Sequence, residues 1–213
     1  RGLVTMDLKG GEEKVVAADG WGIQWSPDGN WMVFDKRQRQ SNGRYHPNIV
    51  AMNVKTRELR VLLNESDSSR YSQIYWNMEW SPDSQQVCFK ARVSAGGYQV
   101  AVANLDGSPV RVLIDGETDT DFTWHPDGSR IFFAGLLRAF GQGVLAEERG
   151  LRGHRIFEYE LATNRISLVK TQPMEMENRS MVFSPDRSRV AFIGRKFAAT
   201  HQWVGKRRFP EAA

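Results

Sequence analysis

Four stretches of this chain align without a gap: IQWSPDGNWMVF from Ile23, MEWSPDSQQVCF from Met78, FTWHPDGSRIFF from Phe122 and MVFSPDRSRVAF from Met181. Each closes on a phenylalanine nine residues after an aromatic anchor, pairing Trp25 with Phe34, Trp80 with Phe89, Trp124 with Phe133 and Phe183 with Phe192. The anchors lie 55, 44 and 59 residues apart, intervals that suit one supersecondary unit per copy with loops of unequal length. Within each copy a short strand ends at the anchor, proline fixes φ in the turn, and the aspartate carboxylate is placed to accept backbone N–H groups. A second strand follows at 31–34, 86–89, 130–133 and 189–192. Polar turns then join a third and a fourth in the first three copies, at 48–54 with 58–63, 98–105 with 110–114 and 155–161 with 166–169.

Repeated units of four antiparallel strands predict an all-β chain built as a β-propeller, either of four blades or as part of a larger ring. The fourth copy shows only two clear strands, whereas residues 3–17 read as two strands about the turn Lys9-Gly10-Gly11-Glu12. Pairing those ends completes the last blade and removes two bare sheet edges. The expected organisation is therefore a propeller over 1–195, its last blade closed by strands in 3–17, followed by a basic tail over 196–213.

With 213 residues, 40% of them apolar, the chain can bury a core without disulfide or metal staples. No apolar run reaches the roughly 18 residues of a membrane span, and the first residues lack the apolar stretch of a secretory signal. The single cysteine, Cys88, lies between Val87 and Phe89 and is expected to be buried and inert.

The WSPDG motif with its following apolar strand resembles the WD40-like repeats of the TolB family of β-propellers. It is complete at Trp25-Ser26-Pro27-Asp28-Gly29, with one or two departures at Trp80–Ser84, Trp124–Gly128 and Phe183–Arg187. The turns M-D-L-K-G-G and A-N-L-D-G-S add to the likeness, which extends over about 190 residues. The resemblance implies a non-catalytic scaffold that binds protein or peptide, in a periplasmic or otherwise exported setting. A cytoplasmic setting stays open. Similar repeats occur in the propellers of oligogalacturonate lyases and of prolyl-oligopeptidase-like peptidases, so a carbohydrate-active propeller and the propeller portion of a peptidase are the alternatives.

No catalytic residue is assigned. Asp28, Asp83, Asp127 and Asp186 hold one place after proline in each copy, which suits turn formation and not paired acid-base work. The four histidines, His46, His125, His154 and His201, show no tight ligand spacing, so no metal and no cofactor is expected. There is no G-x-S-x-G elbow, and the glycines among 135–153 do not form a nucleotide cradle. Net charge is +4, with Lys36, Arg37, Arg39 and Arg44 in one carboxylate-free loop. An anionic glycan is a possible partner for these groups; nucleic acid is not expected, since no nucleic-acid module accompanies them.

Strand registry points instead to a binding face. Four residues before the anchors stand Trp21, Trp76, Thr120 and Arg179, and one residue later Asn77 and Asp121. In a propeller the first strand of each blade borders the axis, so Trp21, Trp76, Asn77, Thr120, Asp121 and Arg179 are expected to gather at one mouth of the tunnel. Two indoles with amide, carboxylate and guanidinium groups suit a peptide or protein segment.

Overall fold

The computed structural model describes residues 3–6, 9, 11, 14–17, 20–75, 77–115, 122–136, 153–184 and 189–196. Within them the regular structure is mostly antiparallel strand. The first sheet runs β3 (Trp21–Trp25), β4 (Trp31–Arg39), β5 (Tyr45–Asn53) and β6 (Leu59–Val61), hydrogen-bonded in chain order. A six-residue helix, α1 (Glu65–Arg70), leads to the second sheet. There β7 (Tyr71–Ile74) and β8 (Glu79–Trp80) share the partner β9 (Gln86–Val93), followed by β10 (Tyr98–Asn104) and β11 (Arg111–Asp115). The third sheet is β12 (Phe122–Trp124), β13 (Arg130–Leu136), β14 (His154–Glu160) and β15 (Arg165–Leu168). Two-stranded sheets flank these three: β1 (Leu3–Thr5) with β2 (Lys14–Ala17), and β16 (Met176–Phe183) with β17 (Val190–Lys196).

The repeated turn explains why the strands stop and start where they do. Ser26 Oγ accepts the Trp31 N–H at 2.9 Å and donates to Asp28 Oδ1 at 2.5 Å, while Asn30 N–H donates to the same carboxylate oxygen at 3.0 Å. Ser81 and Asp83 repeat this pattern, with Gln86 N–H on Ser81 Oγ at 2.9 Å and Gln85 N–H on Asp83 Oδ1 at 3.0 Å. In the third copy histidine replaces serine: His125 Nδ1 lies 2.8 Å from Asp127 Oδ1, which also accepts the Ser129 N–H at 2.8 Å. The turn ends in left-handed backbone at Gly29, Ser84 and Gly128 (φ 70°, 61° and 74°), which costs a side chain at the middle copy and nothing at the glycines.

Side chains alternate across the strands, so each sheet feeds two cores. Trp31, Val33, Ile49 and Ala51 of the first sheet meet Trp80, Val87, Phe89 and Ala91 of the second. Cys88, Val100 and Val102, on the opposite face of the second sheet, meet Phe122, Trp124, Ile131 and Phe133 of the third. Phe132, Ala134 and Ile156 then pack on Met181, Phe183, Val190 and Phe192. In every copy the closing phenylalanine faces the sheet before it; for Phe34 that neighbour is Leu3 of β1. Hydrogen bonds tie the cores together at the anchors: the indole N–H of Trp80 donates to the Gln24 carbonyl at 3.3 Å, and that of Trp124 to the Glu79 carbonyl at 3.2 Å.

The end-to-end pairing expected of residues 3–17 is one that the described ladders do not include. The hairpins β1–β2 and β16–β17 form separate sheets, and no ladder joins them among the described residues. The anchors differ in fate: Trp80 and Trp124 are 5% and 3% exposed, but Trp25 is 53% exposed, and among the described residues no inner strand covers it.

Candidate functional site

Between the first and second sheets opens a cleft of about 950 Å³. Its walls come from Gly20, Trp21, Gly22 and Gln24 of the first strand, Asp35 to Arg37 and Pro47 of the next two, and Ser72, Gln73 and Ile74 of β7. The β3–β4 ladder breaks here. Trp21 pairs with Asp35 and Gln24 with Val33, three steps along β3 against two along β4, so Gly22 and Ile23 bulge out of the ladder. Gly20 (φ 145°) is required at the entrance, since a Cβ there would lie 2.8 Å from Phe34 Cδ2. Trp21 presents its indole at 63% exposure.

Asp35 supplies the polar floor. Its Oδ1 is buried and accepts no hydrogen bond, and burial pushes its carboxyl above the ordinary aspartate range against the opposing effect of the Trp21 N–H. An indole beside a desolvated acceptor, rimmed by Lys36 and Arg37, can hold an apolar group and a donor together.

The residues named from sequence registry do not all converge on this cleft. Trp21 lines it; Asn77 and Arg179 do not. Trp76, Thr120, Asp121 and the turn residue Asp186 lie outside the described residues. Arg179 instead pairs with Glu177, its Nε 2.9 Å from Oε1, and the same oxygen lies 2.6 Å from Nδ1 of buried His154. Burial opposes ionisation of Glu177, but Arg179 and His154 outweigh it and hold the carboxyl below its ordinary range. Next to this group the Arg155 guanidinium, fully buried, donates to the carbonyls of His154, Met174 and Met176 at 2.8–2.9 Å and fastens β14 to the approach to β16.

Registry counted from the anchors also missed Tyr75. Its N–H donates to the Lys90 carbonyl at 2.9 Å, while Glu79 pairs with Cys88, so the bulge is four steps against two in the second sheet. Trp21, Tyr75 and Arg179 are thus the equivalent residues, each opposite the position after the closing phenylalanine: Asp35, Lys90 and Ile193. Counting forward from that phenylalanine gives Lys90, and only the ladder then leads to Tyr75. Lys90 Nζ sits 5.3 Å from the Tyr75 ring centroid and 5.0 Å from that of Tyr98.

Among the described residues no three His, Cys, Asp or Glu side chains stand together as a metal-holding group. Nor is any helix among them long and apolar enough to cross a membrane.

No family model and no curated protein matches this chain. Solved structures do. TolB from Acinetobacter baumannii superposes with a TM-score of 0.62 at 18% identity, over 92% of this chain and 43% of its own. The fold is β-propeller-like. A putative TolB from Agrobacterium tumefaciens gives 0.57 at 14% identity, over 85% of this chain and 57% of its own. An oligogalacturonate lyase in complex with manganese gives 0.57 at 20% identity, over 84% and 50%. The propeller-like chain thus spans about half the length of these structures. Since the tricorn protease is similar too, with a TM-score of 0.56 at 14% identity, covering 91% of this chain and 22% of its own, the likeness speaks for fold and not for activity.

Proposed function

We propose that this chain is a non-catalytic binding module that takes an extended protein or peptide segment in the cleft between its first and second sheets. The observation that carries this reading is the exposed Trp21 indole at a bulged edge strand, over the buried acceptor of Asp35. Among the described residues the edge of β3 away from β4 belongs to no ladder, which suits addition of an extended segment by main-chain hydrogen bonds, with side chains set against Trp21 and Asp35. The likeness to TolB structures supports a scaffold role, and the exported setting implied by the repeat motif belongs to the same reading.

Selection of binders from a displayed library of random peptides, followed by titration calorimetry, tests it. Trp21→Ala with Asp35→Asn should raise the Kd of a selected peptide at least tenfold, about 1.4 kcal/mol, with the fold intact by circular dichroism. Unchanged affinity would remove the cleft as the binding site. Binding of an acidic oligosaccharide that is lost with Lys36→Ala and Arg37→Ala, without peptide binding, would favour the glycan alternative.

A further inference from the structure

The central hairpin of the first sheet is longer than its counterparts in the second and third, and the extra length carries charge. β4 and β5 pair over nine residues from Trp31 and Asn53, whereas β9–β10 and β13–β14 pair over seven from the equivalent Gln86 and Arg130. The two added pairs are Gln38 with His46 and Arg39 with Tyr45. Strand alternation puts Arg39 on the face of β4 that Asp35 and Arg37 share, and those two line the cleft. Same-face neighbours stand about 6.6 to 6.8 Å apart along a strand, so this wall presents a carboxyl and then two guanidinium groups at even steps.

The hairpin is held in place, and its arginines are left unneutralised. At its tip the Gln40 N–H donates to the Arg44 carbonyl at 2.8 Å, and the Gln40 amide donates to the Glu65 carbonyl at 3.1 Å. The N–H and hydroxyl of Ser41 donate to the Glu65 carboxylate at 2.8 and 2.6 Å, so the acid that α1 brings to this hairpin is committed to a serine. Among the described residues Arg37 and Arg39 pair with no carboxylate; Arg39 Nε donates to the Gly43 carbonyl at 3.4 Å, and both side chains are exposed. Tyr45, 61% exposed, stands directly across from Arg39.

We propose that the segment taken by the cleft is acidic: an extended peptide with carboxylates at two positions separated by one residue, seated on Arg37 and Arg39. This rests on the cleft being the peptide site and adds what the peptide must carry. An extended chain sets every second side chain on one face, at the spacing of the two arginines, and each guanidinium can grip a carboxylate through two parallel N–H···O bonds. Tyr45 offers an apolar surface beside the second of them. Asp35, at the inner end of the row, repels a third carboxylate, so the acidic pair is confined to the outer part of the segment and a donor faces Asp35. A polyuronate would match the charge but not the main-chain hydrogen bonds that the β3 edge invites, which favours the peptide.

Peptides selected on the whole chain from a random displayed library are the probe. Their sequences should share two Asp or Glu residues with one residue between, and their Kd should rise with added salt. Arg37→Glu with Arg39→Glu changes two exposed residues, so it should leave circular dichroism unaltered while raising the Kd of a selected peptide at least tenfold. Lysine in place of both peptide acids should restore binding to this reversed variant and abolish it with the original chain. Peptides that depend on Trp21 and Asp35 but carry no acidic pair and bind the reversed variant equally well overturn the acidic segment and leave the cleft as the peptide site. A library that yields no peptide dependent on Trp21 and Asp35 overturns both readings. A polyuronate oligomer whose binding is lost on reversal, with no acidic peptide bound, overturns the peptide in favour of a glycan.

Discussion

Trp25 and Trp80 open the same motif, WSPD, and their side chains end in opposite surroundings. Trp80 is buried between two sheets, with its indole N–H on the Gln24 carbonyl; Trp25 stands in the open beside Ile23. The turns that follow them are alike, down to serine on the next strand's first N–H and aspartate on the serine hydroxyl. Local sequence thus sets the turn, and the neighbouring sheet sets whether the anchor is a core residue. The difference locates the cohesion of the molecule at the joints between sheets and not inside the repeats.

The largest effect should separate the two tryptophans outright. Trp80→Ala removes a buried indole and should cost roughly 3 to 5 kcal/mol in denaturant unfolding. Trp25→Ala should cost less than about 1 kcal/mol, since its ring is already half in water. Equal losses would break the comparison. A smaller contrast isolates the hydrogen bond: Trp124→Phe keeps most of the apolar ring but strands the Glu79 carbonyl, and should cost about 1 to 3 kcal/mol, against no measurable change for Trp25→Phe under the same conditions.

The smallest effect is a change of slope. Glu79 Oε1 accepts the Thr123 hydroxyl at 2.8 Å and the Trp124 N–H at 3.2 Å across the second joint. Burial raises its carboxyl above the ordinary range, and those two hydrogen bonds only partly oppose the rise. Between the unfolded glutamate value, about 4.3, and the raised folded value, the native chain holds a proton that the unfolded chain has lost. Stability contributed by this group is therefore complete below the unfolded value and is lost as pH rises through the folded one. Glu79→Gln keeps an acceptor for both donors and should flatten that decline, which thermal melts from pH 4 to pH 8 would show. Parallel melting curves for the two proteins would remove Glu79 from the account.

Much of the fold was legible because its signals are local. Proline, aspartate and serine at constant spacing specify a turn, and an apolar run after it specifies a strand; the unbroken run Val87, Cys88 and Phe89 falls on a strand buried on both faces. The site was less legible. Of the residues chosen by registry, Trp21 lines the cleft; the same count gives Trp76 where the ladder gives Tyr75 as the equivalent of Trp21, because a bulge of one extra residue in the first sheet becomes two in the second. Asp35 gave no sign of its burial, since an aspartate after an apolar strand looks like an ordinary strand end. Arg179 looked available for a ligand, and the fold spends it on Glu177.

By itself the sequence determined the repeat, the turn chemistry, the strand alternation and the antiparallel all-β class, for each of these depends on residues within about ten positions of one another. Only the tertiary structure decided which anchor is buried, where the bulges fall, that a cleft opens between the first two sheets, and that β1–β2 and β16–β17 stand apart. Those features depend on which sheet packs against which, and burial and hydrogen-bond partners are then supplied by residues some 45 to 56 positions away, as in Trp124 on Glu79 and Trp80 on Gln24.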